Sequence, residues 1–329
     1  MLNQSSFSNN YTFFQKVRSI DYLLLFCIFI VGIISCLAMY STDGGEFLYH
    51  TKNHALRFVT FFIMMIIISF INIKTWHSLS YLFYLVTLLL LVWASMYGIT
   101  ASGSQRWINL YFINLQPSEL MKIAIIICFA KYYHGVQIQS VNKISTFILP
   151  IAILVIPIFL VISQPDLGTS ILIALSGISV LWLAGINVKY FVFSTIIFII
   201  SAPFIISFLK PYQKLRILSF FNPDRDPLGA GYQIIQSKIA VGSGGLYGKG
   251  FLKGTQGYLE FLPEKHTDFI FTLYSEEFGF VGSIVLLILY VLILYRIISI
   301  GSSSRSYFGK LFCYGFASSI FIYITVNMC

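Results

Sequence analysis

Leu259-Glu260-Phe261-Leu262-Pro263-Glu264-Lys265-His266-Thr267-Asp268-Phe269-Ile270-Phe271 closes a long polar stretch and opens an apolar run that ends near Arg296. That run is long enough to cross a bilayer, which takes about 20 predominantly apolar residues. Asp268 therefore falls at the water–membrane boundary, at the head of a membrane helix. A carboxylate there is half-desolvated and close to a helix dipole, two influences of opposite sign on its charged form. Such a balance suits a general base. Thr267 and Asp268 also have the chemistry of helix caps, and capping and base catalysis are compatible readings.

The rest of the chain fits a membrane protein. Of 329 residues, 57% are hydrophobic and 10% charged, whereas a soluble domain carries about 25% charge. Repeated apolar runs predict an all-α polytopic protein with about nine spans, near 20–41, 56–73, 78–98, 119–133, 145–163, 168–184, 189–209, 269–296 and 308–329. We read residues 1–329 as a single membrane domain, with a polar tail over 1–19 and two large loops over 99–118 and 210–268. The net charge of +9 is scattered between spans, with no basic block or zinc spacing to suggest nucleic acid. Cys27, Cys36, Cys128, Cys313 and Cys329 lack metal-ligand spacing and read as small apolar fillers.

Charge sets the orientation. With the N-terminus in the cytoplasm, the cytoplasmic segments hold Lys16, Arg18, Lys74, Lys131, Lys143, Lys189, Arg296, Arg305 and Lys310, and among acids almost only Asp21. Both large loops are then extracytoplasmic.

Several polar constellations gather on that outer side, where ionisable groups near the membrane point to function. Ser104-Gln105-Arg106-Trp107 lies in the first large loop. Gln116-Pro117-Ser118-Glu119-Leu120-Met121-Lys122 begins the fourth span, with Ser118 as its expected N-cap. Glu119 and Lys122 share a helix face, either as an ion pair that lets the helix insert or as a holder of an anionic substrate. In Gln164-Pro165-Asp166-Leu167-Gly168-Thr169-Ser170, Asp166 is expected to cap the sixth span through the Thr169 or Ser170 amides. In the second large loop, Tyr232–Lys238 has helical spacing, so Gln233, Gln236 and Lys238 can face a groove.

Arg216, Lys238, Lys249 and Lys253 make that loop cationic. With Arg106 and Lys122 they have the charge to neutralise a diphosphate, the alternative being a solvated basic face. Gly242–Gly250 is glycine-dense, which suits backbone turns, close approach to a ligand or a hinge. At least one of the adjacent Glu276 and Glu277, inside the eighth span, must be paired, protonated or facing a cavity. His266 reads as a hydrogen-bonded structural residue. These features leave a membrane enzyme acting on a lipid-linked anion or a transporter. Clustering of the ionisable groups at one face favours the enzyme, since transporters bind near the midplane.

The segments also resemble a known family. Gly103–Trp107, Gln116–Glu119 with Lys122, Gln164–Ser170, Asp226–Ala240, Gly254–Gln256 and Leu259–Phe269 are similar, in order along nearly the whole chain, to motifs of the SEDS proteins (shape, elongation, division and sporulation). The tract around Lys238 looks like the RodA branch of that family and not the FtsW branch. The resemblance implies a SEDS-type helical bundle in a bacterial cytoplasmic (inner) membrane. It further implies an inverting peptidoglycan glycosyltransferase that polymerises lipid II into β-1,4 glycan during cell elongation and releases undecaprenyl diphosphate.

Asp268 matches the family's essential aspartate, the base. Arg106, Glu119, Lys122 and Lys238 match positions lining its central cavity; Asp166, Gln236, Glu260 and His266 lie in matching motifs. Implied partners are a class B penicillin-binding protein and other elongation-complex membrane proteins. A divalent cation (Mg or Mn) sharing the diphosphate is compatible with the family, although no metal cluster is evident in the residues. A lipid II flippase is the alternative reading. The family has ten spans, and its last loop carries a Ser-Tyr-Gly-Gly-Ser motif. This sequence stops at Asn327-Met328-Cys329, where that continuation is expected, which keeps an inactive remnant among the readings.

Overall fold

A computed structural model describes residues 12–101, 104–109, 114–208, 214–215, 218, 222, 230–255 and 266–328. A short helix α1 (Phe13–Arg18) leads into α2 (Tyr22–Thr42), α3 (Tyr49–Ser69) and α4 (Ile73–Tyr97). After strands β1 (Ile99–Ala101), β2 (Ser104–Asn109) and β3 (Asn114–Leu115) come α5 (Pro117–Gly135), α6 (Ile144–Ser163), α7 (Leu167–Leu183) and α8 (Val188–Phe208). Helices α9 (Ala230–Ser243), α10 (Ile270–Ser303) and α11 (Tyr307–Met328) complete the chain.

Among the described residues nine helices reach 17 residues or more, matching the nine expected spans. Six of them, α2, α3, α4, α6, α10 and α11, are long and apolar enough to cross a membrane. Residues of α7 and α8 form shorter apolar helices, and α5 carries Glu119, Lys122 and Lys131. The protein is a multi-pass membrane protein. Helix α3 starts at Tyr49, earlier than hydropathy suggests, because its first turns hold Lys52, Asn53 and His54.

The first large loop departs from a purely helical reading. It folds into a small antiparallel sheet in the order β1-β2-β3. Ile99 pairs with Trp107 and Thr100 with Gln105 across a bulge, then Ile108 pairs with Leu115. The pairing satisfies backbone groups that a loose loop at a membrane surface would leave to water.

Helix α5 is the axis of the bundle. From Ala124 to Ala130 every side chain is at most 4% exposed, the pattern of a helix apolar on all sides and enclosed by others. It packs against α4, α6, α7 and α11, and Phe308 and Leu311 of α11 join the same core. Helix α3, by contrast, leans on α2 and buries Thr51 alone, and α8 leaves most of its side chains exposed.

Helices α2 and α10 run antiparallel. Asp21, at the start of α2, meets Arg296 late in α10, and Ser41, at the end of α2, donates to Glu277 near the start of α10. Helix α10 is kinked at Gly279, whose φ of 64° lies in the left-handed region. A break of that kind at membrane depth is tolerated where protein re-satisfies the backbone.

The glycine tract after α9 does this. Lys249 N and Gly250 N donate to the carbonyls of Glu276 and Glu277, each at 3.0 Å. Phe280 N and Val281 N donate in turn to Gly245 O and Leu246 O, at 2.9 and 3.1 Å. A Cβ at Gly248 (φ 77°) would overlap the Glu277 carbonyl. The close approach that these glycines make is to the protein's own backbone.

Candidate functional site

The ionisable residues gather where α5, α7 and α10 begin and α2 and α11 end. At the start of α5 the N-cap is Gln116, with Pro117 in the first helical turn. Ser118, expected as the cap, is inside the helix and buried, because proline already fits the first position, where its missing N–H costs nothing.

One turn on, the Lys122 ammonium lies 2.8 and 3.0 Å from the two carboxylate oxygens of Glu119. The lysine side chain is 9% exposed and that of Glu119 47%. The cation is thus enclosed while its counter-ion opens outward. Taking an ammonium out of water costs several kcal/mol unless it is paired. Lys122 has a second partner too, the ring of Tyr323 on α11, 4.6 Å from its nitrogen.

The loop before α7 holds a second pair. Asp166 caps α7 as expected, with Oδ1 accepting from Thr169 N at 3.1 Å. Its Oδ2 takes Arg106 Nη1 at 2.9 Å and Gln116 Nε2 at 3.3 Å. Three motifs that are distant in sequence thereby meet on one carboxylate. Beside them, Gln164 Nε2 donates to Leu91 O at 3.0 Å and fixes the end of α6 to α4. Arg106 Nε is buried, and among the described residues it has no hydrogen-bond partner.

Asp268 is exposed, on the turn that precedes α10. The N-cap position of α10 is Phe269 and not Asp268, so Asp268 does not take the expected capping position and its side chain is exposed. The turn is anchored by His266, which takes the structural role expected of it. Its Nδ1 lies 3.0 Å from Thr42 Oγ1 and its ring stacks on His50 at 4.2 Å. Asp43 adjoins them and accepts from Thr51 N and Oγ1 at 2.8 and 2.6 Å.

Lys238 and Gln236 lie on α9, the first exposed and the second half-buried, and α9 packs on α10. No described residue forms an ion pair with Lys238, and neither is brought onto Glu119–Lys122 or Arg106–Asp166. Glu260 and Arg216 lie outside the described residues. Lys249, grouped above with the diphosphate-binding bases, is instead 2.7 Å from Glu276 Oε1. The expectation that at least one of Glu276 and Glu277 is paired is met. Among the described residues no three His, Cys, Asp or Glu side chains are grouped to hold a metal. Tyr323 escaped the sequence reading because a lone aromatic residue in an apolar span looks like core or lipid contact.

Fold and site together define a class: a multi-pass helical membrane protein with ion-paired charged residues clustered at one end of its bundle. Comparison with known proteins makes this specific. The family model for FtsW, RodA and SpoVE, described as cell cycle proteins, matches residues 17–329, and the chain belongs to that family. It is 36% identical over 322 residues to the peptidoglycan glycosyltransferase MrdB of Escherichia coli K12, covering 97% of this chain and 86% of the relative. It is 35% identical over 280 residues to a probable peptidoglycan glycosyltransferase FtsW of Buchnera aphidicola subsp. Baizongia pistaciae, covering 85% of this chain and 73% of that protein.

Among solved structures, a chain of a peptidoglycan synthase complex superposes with a TM-score of 0.80 at 24% identity, over 94% of this chain and 86% of that one. The rod shape determining protein RodA of Thermus thermophilus superposes with a TM-score of 0.68 at 21% identity, over 94% and 84%. These two likenesses establish a shared fold.

Proposed function

We propose that this protein is a peptidoglycan glycosyltransferase that polymerises lipid II into β-1,4 glycan strands for cell elongation and shape maintenance. The observation that carries the reading is the 36% identity to the Escherichia coli peptidoglycan glycosyltransferase along 97% of the chain. The exposed Asp268 side chain and the Glu119–Lys122 and Arg106–Asp166 pairs at one end of the bundle support it.

In this mechanism the acceptor sugar's 4-hydroxyl attacks the anomeric carbon of the donor glycan. Asp268 takes the proton of that hydroxyl, and the bond to undecaprenyl diphosphate breaks with inversion. Negative charge builds on the departing diphosphate, and fixed cations that meet it lower the barrier. Lys122, Arg106 and Lys238 are assigned that work, with Glu119 orienting Lys122.

The reading also includes the inner membrane of a bacterium, a cytoplasmic N-terminus and an extracytoplasmic site, in keeping with the basic residues between spans. A class B penicillin-binding protein is the proposed partner. The related solved complex is described as coordinating polymerization and crosslinking.

The test is to supply labelled lipid II to the purified protein in detergent, with that partner present. Polymer is expected from the wild type and none from Asp268→Asn, which keeps the shape and removes the base. Polymer from both overturns the base assignment. Movement of lipid II across vesicles without polymer in detergent favours a flippase instead.

A further inference from the structure

Helix α11 brings to the site an aromatic ring that the motifs do not include. Tyr323 lies about one and a half turns before the end of α11, and its ring faces the Lys122 ammonium at 4.6 Å. Tyr323 is 47% exposed, so it does not belong to the buried core. The Lys122 it faces is in turn paired with Glu119. It is thus next to the ion pair.

The two partners of Lys122 act differently. Glu119 neutralises the ammonium and comes from the same helix, three residues away. A phosphate arriving at Lys122 competes with that carboxylate. An aromatic face attracts a cation through its quadrupole within about 6 Å and leaves its net charge in place. A ring can therefore hold the ammonium still while the charge remains available to an anion.

We propose that Tyr323 is a positioning residue whose ring fixes the Lys122 ammonium at the mouth of the site, so that it can exchange the Glu119 carboxylate for the diphosphate of a lipid-linked substrate. The proposal rests on the reading that Lys122 holds that diphosphate. It also makes α11 part of the binding site through an aromatic side chain, where the motifs supply acids and bases from other elements.

The test measures binding of undecaprenyl diphosphate to the purified protein in detergent, for the wild type and for Lys122→Ala, Tyr323→Phe, Tyr323→Leu and Tyr323→Met. Thermal unfolding of each variant is followed in parallel. Phenylalanine keeps the ring face, and leucine and methionine keep apolar bulk without it. Binding is expected to be lost in Lys122→Ala, retained in Tyr323→Phe and about tenfold weaker in Tyr323→Leu and Tyr323→Met. In polymerisation the two ringless variants are expected to lower kcat/KM for lipid II by at least a similar factor, with Tyr323→Phe close to the wild type.

Wild-type affinity in the ringless variants, with Lys122→Ala defective, overturns the role of Tyr323 and leaves that of Lys122 standing. Equal weakening in Tyr323→Phe and Tyr323→Leu also overturns it, because the hydroxyl and not the ring then matters. Wild-type affinity in Lys122→Ala, or no binding by the wild type, removes the diphosphate reading and this proposal with it. A ringless variant with lowered melting temperature and unchanged affinity marks a purely structural residue.

Discussion

Glu276 has no exposed side-chain surface. Its Oε1 accepts from Lys249 Nζ at 2.7 Å and from the Thr255 amide and hydroxyl, each at 2.9 Å. A carboxylate so far from water depends on those donors, and breaking a buried pair by deleting one partner costs about 3–5 kcal/mol. Lys249 is 28% exposed and can turn to water if it loses Glu276. The two deletions are therefore unequal. Lys249→Met is expected to lower the melting temperature in detergent more than Glu276→Gln, because an amide oxygen still accepts from Thr255 and leaves no stranded charge. Equal effects, or a larger one from the glutamine, remove the buried charge as the cause. The sequence shows that two adjacent acids in an apolar run need partners. It does not show which partners, since Lys249 reaches Glu276, 27 residues further along, only after the glycine tract has folded back onto the kinked helix.

The long helices were legible because apolar runs of membrane length are a strong local signal, and their bounds agree with the sequence within a few residues except at the starts of α3 and α4 and the end of α10. Elements made by tertiary contact were not. The β1-β2-β3 sheet has strands of two to six residues, too short for an alternating pattern to stand out. The pairing of Arg106 with Asp166 likewise needs the sheet and the start of α7 to meet, and no spacing in the chain encodes that. The glycine tract was legible as a place of special backbone, but its partner was not. That partner makes a sharp prediction. Gly248→Val adds a Cβ that would overlap the Glu277 carbonyl and places a β-branched residue at a left-handed φ, strain of about 1–3 kcal/mol before the overlap is counted. The Lys249 and Gly250 amides would then move off the kinked helix. Gly248→Val should lower thermal stability and speed limited proteolysis within residues 244–255, whereas Gly242→Val, with nothing within 4 Å of its added Cβ, should leave that cleavage unchanged.

Across the whole molecule, the site is built at one end of helices whose other ends are fastened separately. At the far end Tyr307 donates to Ala184 O at 3.4 Å and Lys131 to Ser78 O at 2.9 Å, and α2 is joined to α10 by Asp21 and Arg296. Burial alone would raise the Asp21 carboxyl. The Arg296 guanidinium and the Leu24 amide outweigh it and hold the group below its ordinary value. A carboxylate depressed in the folded state contributes stability above its unfolded pKa of about 3.9, and that contribution is lost as pH falls through the lower folded value. The Asp268 end of the same helix pair is held by Ser41–Glu277 and Thr42–His266, contacts that do not include Asp21. A double-mutant cycle of Asp21→Asn and Arg296→Gln is therefore expected to show favourable coupling in thermal unfolding near neutral pH, shrinking toward zero on acidification. Both single variants should retain binding of undecaprenyl diphosphate near neutral pH. Coupling that survives acidification would mean that shape and not charge joins the helices there. Loss of binding in either variant would mean that the two ends of α2 and α10 move as one body, so that the far ion pair sets the geometry of the site.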